Sequence, residues 1–177
     1  MTKADISQVD ALIRETLDAF TRDLFEHPEW KGKEHDYINR YVHGFLLARC
    51  PASTFLYHPT QVGIEVGVKW PPGIGVKNSS RKDIVIWPKP WMSCWKEVNG
   101  KYRPFYAPTV VMEWKVVRAG QKVRPHLGDR KWLSGFAKKW PDSLGYMVTM
   151  TREPVSTGRI VVARFHDAHI KHDWFLL

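Results

Sequence analysis

Apolar side chains near the start of the chain follow a helical period. Between positions 5 and 27 they recur every three or four residues, at Ile6, Val9, Ile13, Leu17, Phe20 and Leu24. This spacing is typical of an amphipathic helix, which Pro28 would end. A second stripe of the same period covers residues 34–49 and stops before Pro51. The sequence therefore predicts two N-terminal helices within residues 5–49.

The period changes to two after position 60. The segment 61–70 has an apolar residue at every second position, namely Val62, Ile64, Val66 and Val68. Alternation with β-branched residues predicts a strand, because successive side chains of a strand point to opposite faces. These four valine and isoleucine side chains are expected on one face, and Glu65 on the other.

The rest of the pattern predicts one more helix among further strands. Residues 82–87 and 109–117 are rich in apolar residues, which favours two central strands. Residues 129–140 predict a short helix, whereas 146–151 and 159–165 predict two late strands. Helices and strands in this order favour an α/β or α+β layer fold, and we predict α/β with helices flanking a central mixed sheet.

The chain is expected to fold as one domain. Its 177 residues suffice for one well-buried core, so residues 1–177 are taken together. Proline, glycine and asparagine mark residues 88–108 as an insertion, either a loop or a hairpin. The three histidines that follow the last predicted strand, spaced by three, fit neither one strand face nor a common zinc motif and are predicted to be surface residues.

Composition restricts the class of protein. Hydrophobic residues make up 44% of the chain and aromatic residues 13%, which excludes a disordered or fibrous protein. Apolar runs fall far short of the roughly 20 residues that span a bilayer, and the N-terminus lacks the apolar core of a secretory signal. The two cysteines have no metal-ligand spacing. We therefore predict a cytoplasmic protein with no membrane partner.

The net charge of +9 favours a polyanionic partner. The basic residues that we predict to contact a nucleic-acid backbone are Arg81, Lys82, Lys122, Arg124, Arg130 and Lys131. The insertion at residues 88–108 also interleaves aromatic residues with lysine and arginine, as in proteins that hold unstacked bases. The alternative is that these aromatic rings simply cover the sheet.

Charged residues within an apolar strand are the strongest candidates for chemistry. Glu113 and Lys115 flank Trp114, so both are expected on one face of the strand while Trp114 points to the other. Ionised side chains are rarely buried without a partner or a function. Glu113 and Lys115 therefore form the core of the predicted site.

Asp83 is a similar exception in the strand at residues 82–87. If the two strands are neighbours, Asp83 and Glu113 can share a divalent cation with Lys115 beside them. Oxygen ligands of this kind suit Mg²⁺ or Mn²⁺, which lower the pKa of a bound water. Lys115 would orient that water or neutralise charge in the transition state.

These residues make the sequence resemble the PD-(D/E)xK nuclease superfamily, the fold shared by many restriction endonucleases and junction-resolving enzymes. Asp83 on one strand and Glu113-Trp114-Lys115 on the next match the motif, over a resemblance that spans roughly residues 34–151. Lys82 stands where the family name has proline. The gap between Asp83 and Glu113 is long, and the insertion at residues 88–108 accounts for it.

The resemblance implies a restriction-endonuclease-like fold and a further acidic residue on a helix before the sheet. Glu34 is the position that we assign to this role, with Asp36 as its competitor. Glu65 on the first predicted strand is either a further metal ligand or a solvent-facing residue. The predicted metal ligands are thus Asp83, Glu113, Glu65 and Glu34.

The sequence therefore predicts a Mg²⁺- or Mn²⁺-dependent endonuclease that hydrolyses phosphodiester bonds, with DNA as the favoured substrate. Asp83, Glu113 and Lys115 are the predicted catalytic residues. Two alternatives stay open: a non-catalytic nucleic-acid-binding module of the same fold, and a basic protein-interaction domain with structural acidic residues. Related nucleases commonly act as dimers, so a homodimer is compatible with the resemblance.

Overall fold

The N-terminal segments with a helical period form two helices that lie on the same side of a sheet. The computed structural model of the chain describes residues 3–50, 55–69, 79–104, 106–118, 127–152 and 159–176. Helix α1 is Lys3–Glu26 and helix α2 is Glu34–Tyr41. A π-helical turn, Val42–Leu46, and a 3₁₀ turn, Leu47–Arg49, continue α2 to its predicted end.

The alternating segments form a mixed sheet. The described residues contain eight strands, numbered in chain order: β1 (Val62–Lys69), β2 (Ser79–Ile86), β3 (Trp95–Val98), β4 (Lys101–Pro104), β5 (Val110–Arg118), β6 (Leu144–Arg152), β7 (Arg159–His166) and β8 (His169–Leu176). Six of these make the main sheet, in the order β1-β2-β5-β6-β7-β8. Strands β5 and β6 are parallel, and the other neighbours are antiparallel. The predicted central mixed sheet is confirmed.

The hairpin of β3 and β4 and the third helix lie outside the main sheet. Strands β3 and β4 pair with each other as a hairpin inside the predicted insertion. Helix α3 (Leu127–Lys139) lies between β5 and β6 in the chain, as expected for the connection between two parallel strands. Within the described ranges, no helix has the length and apolar character needed to cross a membrane.

An apolar core fills each face of the main sheet. The first core lies between the sheet and helices α1 and α2, and it includes Phe20, Tyr41, Ile84, Met112 and Trp114. The second core lies between the opposite face and α3, and it includes Val85, Val111, Trp132, Phe136 and Met147. Because Met112 and Trp114 face the first core, Glu113 between them faces the α3 side.

Strand β1 changes the face that it presents to the protein interior. Val62 and Ile64 pack against the first core, whereas Val66 and Val68 belong to the second. The prediction that all four side chains share one face is therefore wrong. Glu65 between them has φ 56°, a left-handed conformation that interrupts the alternation and rotates the rest of the strand.

Strand β8 contains the same feature at the other side of the described sheet. Asp173 has φ 48°, and the pairing of β7 with β8 has a bulge. On one side of Asp173, His172 contacts Arg130 of α3, and its Nε2 atom lies 3.2 Å from the Arg130 guanidinium. On the other side, Trp174 packs in the first core, with the Arg14 guanidinium 4.5 Å from its ring centre. Bulges of this kind twist outer strands and discourage pairing with another chain.

The left-handed conformation of Glu65 predicts a gain in stability when glycine replaces it. A residue with a Cβ atom loses roughly 1–2 kcal/mol in this conformation, and the greater freedom of unfolded glycine offsets only part of that. We expect Glu65→Gly to be more stable than Glu65→Ala by about 1 kcal/mol in urea denaturation. Both variants lack the carboxylate, so the difference reports the backbone alone. A glycine variant less stable than the alanine variant would contradict the conformation.

Candidate functional site

The site lies where β2 and β5 separate. The ladder between the two strands joins residues 84–86 to residues 110–112. Beyond it, Asp83 Oδ2 accepts a hydrogen bond of 2.6 Å from the backbone N–H of Trp114. A side-chain carboxylate thus takes the place of a backbone carbonyl from β2. This bond holds Asp83 against the peptide that separates Glu113 from Lys115.

A second carboxylate follows on the same edge of β5. Glu34, the first residue of α2, accepts a hydrogen bond of 3.1 Å from the backbone N–H of Val116 through Oε2. Its other oxygen lies 3.4 Å from Lys115 Nζ. Residues 114 and 116 are two apart, so their N–H groups point to the same side of the strand. Asp83 and Glu34 therefore occupy the gap that β2 leaves beside β5.

The competing acidic residue on α2 does not reach this gap. Asp36 Oδ2 instead accepts a hydrogen bond of 2.6 Å from the backbone N–H of Lys33, at the start of the helix. Carboxylates in this position satisfy N–H groups of the first helical turn. Of the two candidates on α2, Glu34 is the one that the structure brings to Asp83 and Lys115.

Glu113 is buried on the α3 side of the sheet. The residue is 4% exposed, and its Oε1 accepts a hydrogen bond from the ammonium of Lys82. The negative charge of Asp83 acts on this carboxyl group. Asp83 and Glu113 are the chain neighbours of the paired residues Ile84 and Met112, so the two carboxyl groups predicted to share a metal are neighbours where β2 and β5 separate.

Lys82 is the residue whose place the sequence predicts least well. Its side chain is 0% exposed, with the ammonium bonded to Glu113 and 3.9 Å from the centre of the Trp132 ring on α3. The predicted contact of Lys82 with a nucleic-acid backbone does not fit this buried position. A lysine directly before Asp83 in an otherwise apolar strand was the available signal for an internal partner of Glu113.

Burial raises the pKa values of both central carboxyl groups. For Glu113, desolvation is the largest cause, and it raises the pKa to about 7 although the Lys82 ammonium opposes the change. The negative charges of Asp83 and Asp129 raise it further. Burial likewise raises the pKa of Asp83, against the lowering effect of the hydrogen bond from Trp114. Both carboxyl groups therefore hold a proton to higher pH than they would in water.

The charge on Lys115 is secured by its neighbours. Burial lowers the pKa of Lys115, but the attraction of surrounding carboxylates, led by Glu34 and Asp83, outweighs burial and leaves the pKa raised. The interacting groups, which we call the acidic cluster, are Glu34, Asp83, Glu113, Asp129, Lys82 and Lys115. Four carboxylates and two ammonium groups give the cluster a formal charge of −2 when all are ionised.

The donor set of the acidic cluster fits a hard divalent cation. Over the described ranges of the chain, no three histidine, cysteine, aspartate or glutamate side chains are arranged to hold one metal ion. A cation here would therefore have Asp83 and Glu113 as its protein ligands. Mg²⁺ commonly binds through one or two carboxylates and completes its octahedral shell with water and substrate phosphate. The formal charge of the cluster matches one such ion.

Glu65 lies apart from these groups. It is exposed on β1, between the residues that pair with Ile84 and Lys82 of β2. Among the described residues, its carboxylate is not one of the charges that shift the pKa of Asp83, Glu113 or Lys115. Of the four predicted metal ligands, Glu65 is therefore the one that lies outside the acidic cluster.

The predicted nucleic-acid contacts have varied surroundings. Arg81 is exposed on β2, next to the acidic cluster in the chain. On α3, Lys131 is exposed, whereas Arg130 is half-buried against His172. Lys122 and Arg124 lie outside the described residues. Contact of these side chains with a nucleic acid stays a prediction.

Comparison of the chain with protein-family models, with curated proteins and with solved structures found no match. The geometry of the acidic cluster, together with the sequence pattern, is therefore the basis for assigning a function.

The raised pKa of Glu113 predicts how the stability of the metal-free protein depends on pH. The folded state keeps the proton up to about pH 7, whereas the unfolded chain releases it near the ordinary pKa of 4.5. Its stabilising contribution is complete below pH 4.5 and is lost as the pH rises to 7. The loss is on the order of 3 kcal/mol.

Urea denaturation in EDTA between pH 4 and 8 measures this loss when wild type is compared with Glu113→Gln. Glutamine imitates the protonated side chain and does not titrate, so wild type should lose stability relative to the variant across this interval. Parallel stability curves for the two proteins would contradict the raised pKa.

Proposed function

We propose that the chain is a metal-dependent nuclease that hydrolyses phosphodiester bonds in DNA, with a restriction-endonuclease-like fold of the PD-(D/E)xK type. The observation that supports this proposal is the meeting of Asp83 with Glu113 beside Lys115, where β2 and β5 separate. Two carboxylates and one ammonium from two neighbouring strands are the groups that such a metal site would use.

The two central carboxylates have separate anchors. Asp83 uses one oxygen for the Trp114 amide, and Glu113 uses one oxygen for Lys82. These bonds fix the orientation of both groups. A Mg²⁺ or Mn²⁺ ion bound there would lower the pKa of an attacking water and stabilise charge on the phosphate.

Lys115 and Glu34 have supporting roles in this proposal. The ammonium of Lys115 is partly exposed, so it can hydrogen-bond to a water or to a phosphate oxygen. Glu34 lies 3.4 Å from this ammonium and holds it beside the gap between β2 and β5. Its bond to the Val116 amide fixes Glu34 in turn. The lysine is thereby oriented before a substrate arrives, which is the usual condition for electrostatic catalysis.

Charge supports a nucleic acid as the substrate. The net charge of +9 attracts a phosphate backbone, although the acidic cluster itself is negative. Exposed cations such as Arg81 and Lys131 lie on elements that contribute to the cluster, β2 and α3. They would place a backbone near Asp83 and Glu113. Such contacts position a nucleic acid without reading its sequence.

A non-catalytic nucleic-acid-binding module is the second candidate function. The contact that favours it is the Lys82 ammonium, which already neutralises part of the charge on Glu113. Such a module would bind DNA with a strong dependence on salt and would not cleave it in the presence of Mg²⁺ or Mn²⁺.

Replacement of Lys115 tests the nuclease proposal. We expect the purified protein to cleave plasmid or single-stranded DNA in Mg²⁺ or Mn²⁺, and EDTA to abolish the cleavage. Lys115→Ala should reduce kcat by at least about 100-fold, because it removes a cation oriented toward the reacting phosphate. Lys138→Ala is the matched control, since this exposed lysine at the end of α3 is outside the acidic cluster.

Binding and folding are measured on the same variants, by DNA gel shift and circular dichroism. Equal cleavage by wild type and Lys115→Ala would contradict the proposed site. Salt-dependent DNA binding without cleavage by any of the proteins would favour the non-catalytic module.

A further inference from the structure

We propose that Lys82 is an internal counter-ion that competes with a divalent cation for Glu113. In this way the site binds metal tightly only when a substrate phosphate is also present. The inference rests on the proposed function, because it concerns the same metal site. The contact that carries it is the buried ammonium of Lys82 between the Glu113 carboxylate and the Trp132 ring.

The burial of Lys82 calls for an explanation beyond stability. Its side chain is 0% exposed, and an ammonium is removed from water at a large desolvation cost. Apolar residues of similar volume often replace buried ion pairs with no loss of stability. Apolar residues in place of both Lys82 and Glu113 would serve stability as well, so the retention of a buried lysine here indicates that its charge acts on a Glu113 carboxylate that is itself needed.

The position of the ammonium places it in competition with a metal. Lys82 donates to Oε1 of Glu113 and so lies within hydrogen-bond distance of a carboxylate that would bind the metal. A Mg²⁺ ion on this carboxylate would be only about 2.0–2.1 Å from its ligand oxygen. Two cations on one buried carboxylate repel each other with little screening, so Lys82 must weaken the affinity for metal.

The same charge favours the binding of a phosphate. With one divalent cation, the acidic cluster of formal charge −2 becomes neutral, and an anionic phosphodiester can approach it. Without the Lys82 charge, the metal-bound cluster would keep a negative charge and repel the phosphate. Lys82 therefore acts in opposite directions on the two ligands: its charge weakens the binding of metal and strengthens the binding of phosphate.

The experiment compares wild type, Lys82→Gln and Lys82→Arg after removal of metal with EDTA and dialysis. Glutamine is neutral and still donates a hydrogen bond to Glu113, whereas arginine keeps the charge and is the matched control. The probe is Mn²⁺ alone, with free Mn²⁺ measured by electron paramagnetic resonance. We expect Lys82→Gln to bind Mn²⁺ at least about tenfold more tightly than wild type, and Lys82→Arg to remain near wild type.

The effect on phosphate binding is measured by repeating the Mn²⁺ titration with a phosphorothioate DNA duplex, which resists cleavage. The duplex should tighten Mn²⁺ binding in wild type. It should bind more weakly to Mn²⁺-loaded Lys82→Gln than to Mn²⁺-loaded wild type, because the variant's cluster keeps a negative charge. Circular dichroism confirms that each variant is folded. Should Lys82→Gln fail to fold, Trp132→Phe weakens the contact that holds the ammonium, and it should tighten Mn²⁺ binding by a smaller factor.

The outcomes separate this inference from the proposed function. Wild type that binds Mn²⁺, with equal or weaker binding by Lys82→Gln, would overturn the role of Lys82 and leave the nuclease proposal standing. If Lys82→Gln folds but does not bind Mn²⁺ more tightly than wild type, the inference is overturned whatever the result for Trp132→Phe. Absence of Mn²⁺ binding by all three proteins, with no cleavage of DNA, would remove the proposed function and this inference together.

Discussion

The hydrogen bond from the Trp114 amide to Asp83 is the constraint on which the site depends. It lets β2 leave β5 without leaving a strand N–H unpaired, which would be costly in a buried place. Glu34 likewise accepts a hydrogen bond from the next N–H group on that edge, which belongs to Val116. The gap between the two strands is thus lined by carboxylates because the backbone of β5 needs acceptors there.

Both layers of helices contribute to this gap, so the site depends on the whole architecture. Helix α2 supplies Glu34 from the side of the first core. Helix α3 lies on the opposite face and supplies Trp132 against Lys82, together with the negative charge of Asp129. The ionised groups therefore come from four elements, α2, β2, β5 and α3, which pack together through apolar side chains. The cores bring these elements together, and the hydrogen bonds then orient the charged groups.

Sequence periodicity predicted those parts of the site that local geometry determines. Glu113 and Lys115 could be identified because both lie on one strand, and Asp83 because antiparallel pairing brings its strand beside theirs. Periodicity failed where one residue leaves the regular conformation: the left-handed Glu65 reverses the faces of β1. A glutamate does not mark such a position in a sequence. The pairing of Lys82 with Glu113 was signalled only by a lysine within an apolar strand, and Trp132, which completes the contact, comes from a helix distant in sequence.

The hydrogen bonds within the acidic cluster allow it to form without a bound metal. Structural zinc sites fold only when the ion gathers their ligands, so that chelators unfold them. Here the Trp114 amide, the Val116 amide and the Lys82 ammonium already hold the three carboxylates Asp83, Glu34 and Glu113. The cluster is therefore assembled before any cation arrives. If the cluster is the metal site that we propose, it could release a metal and bind it again without losing its shape.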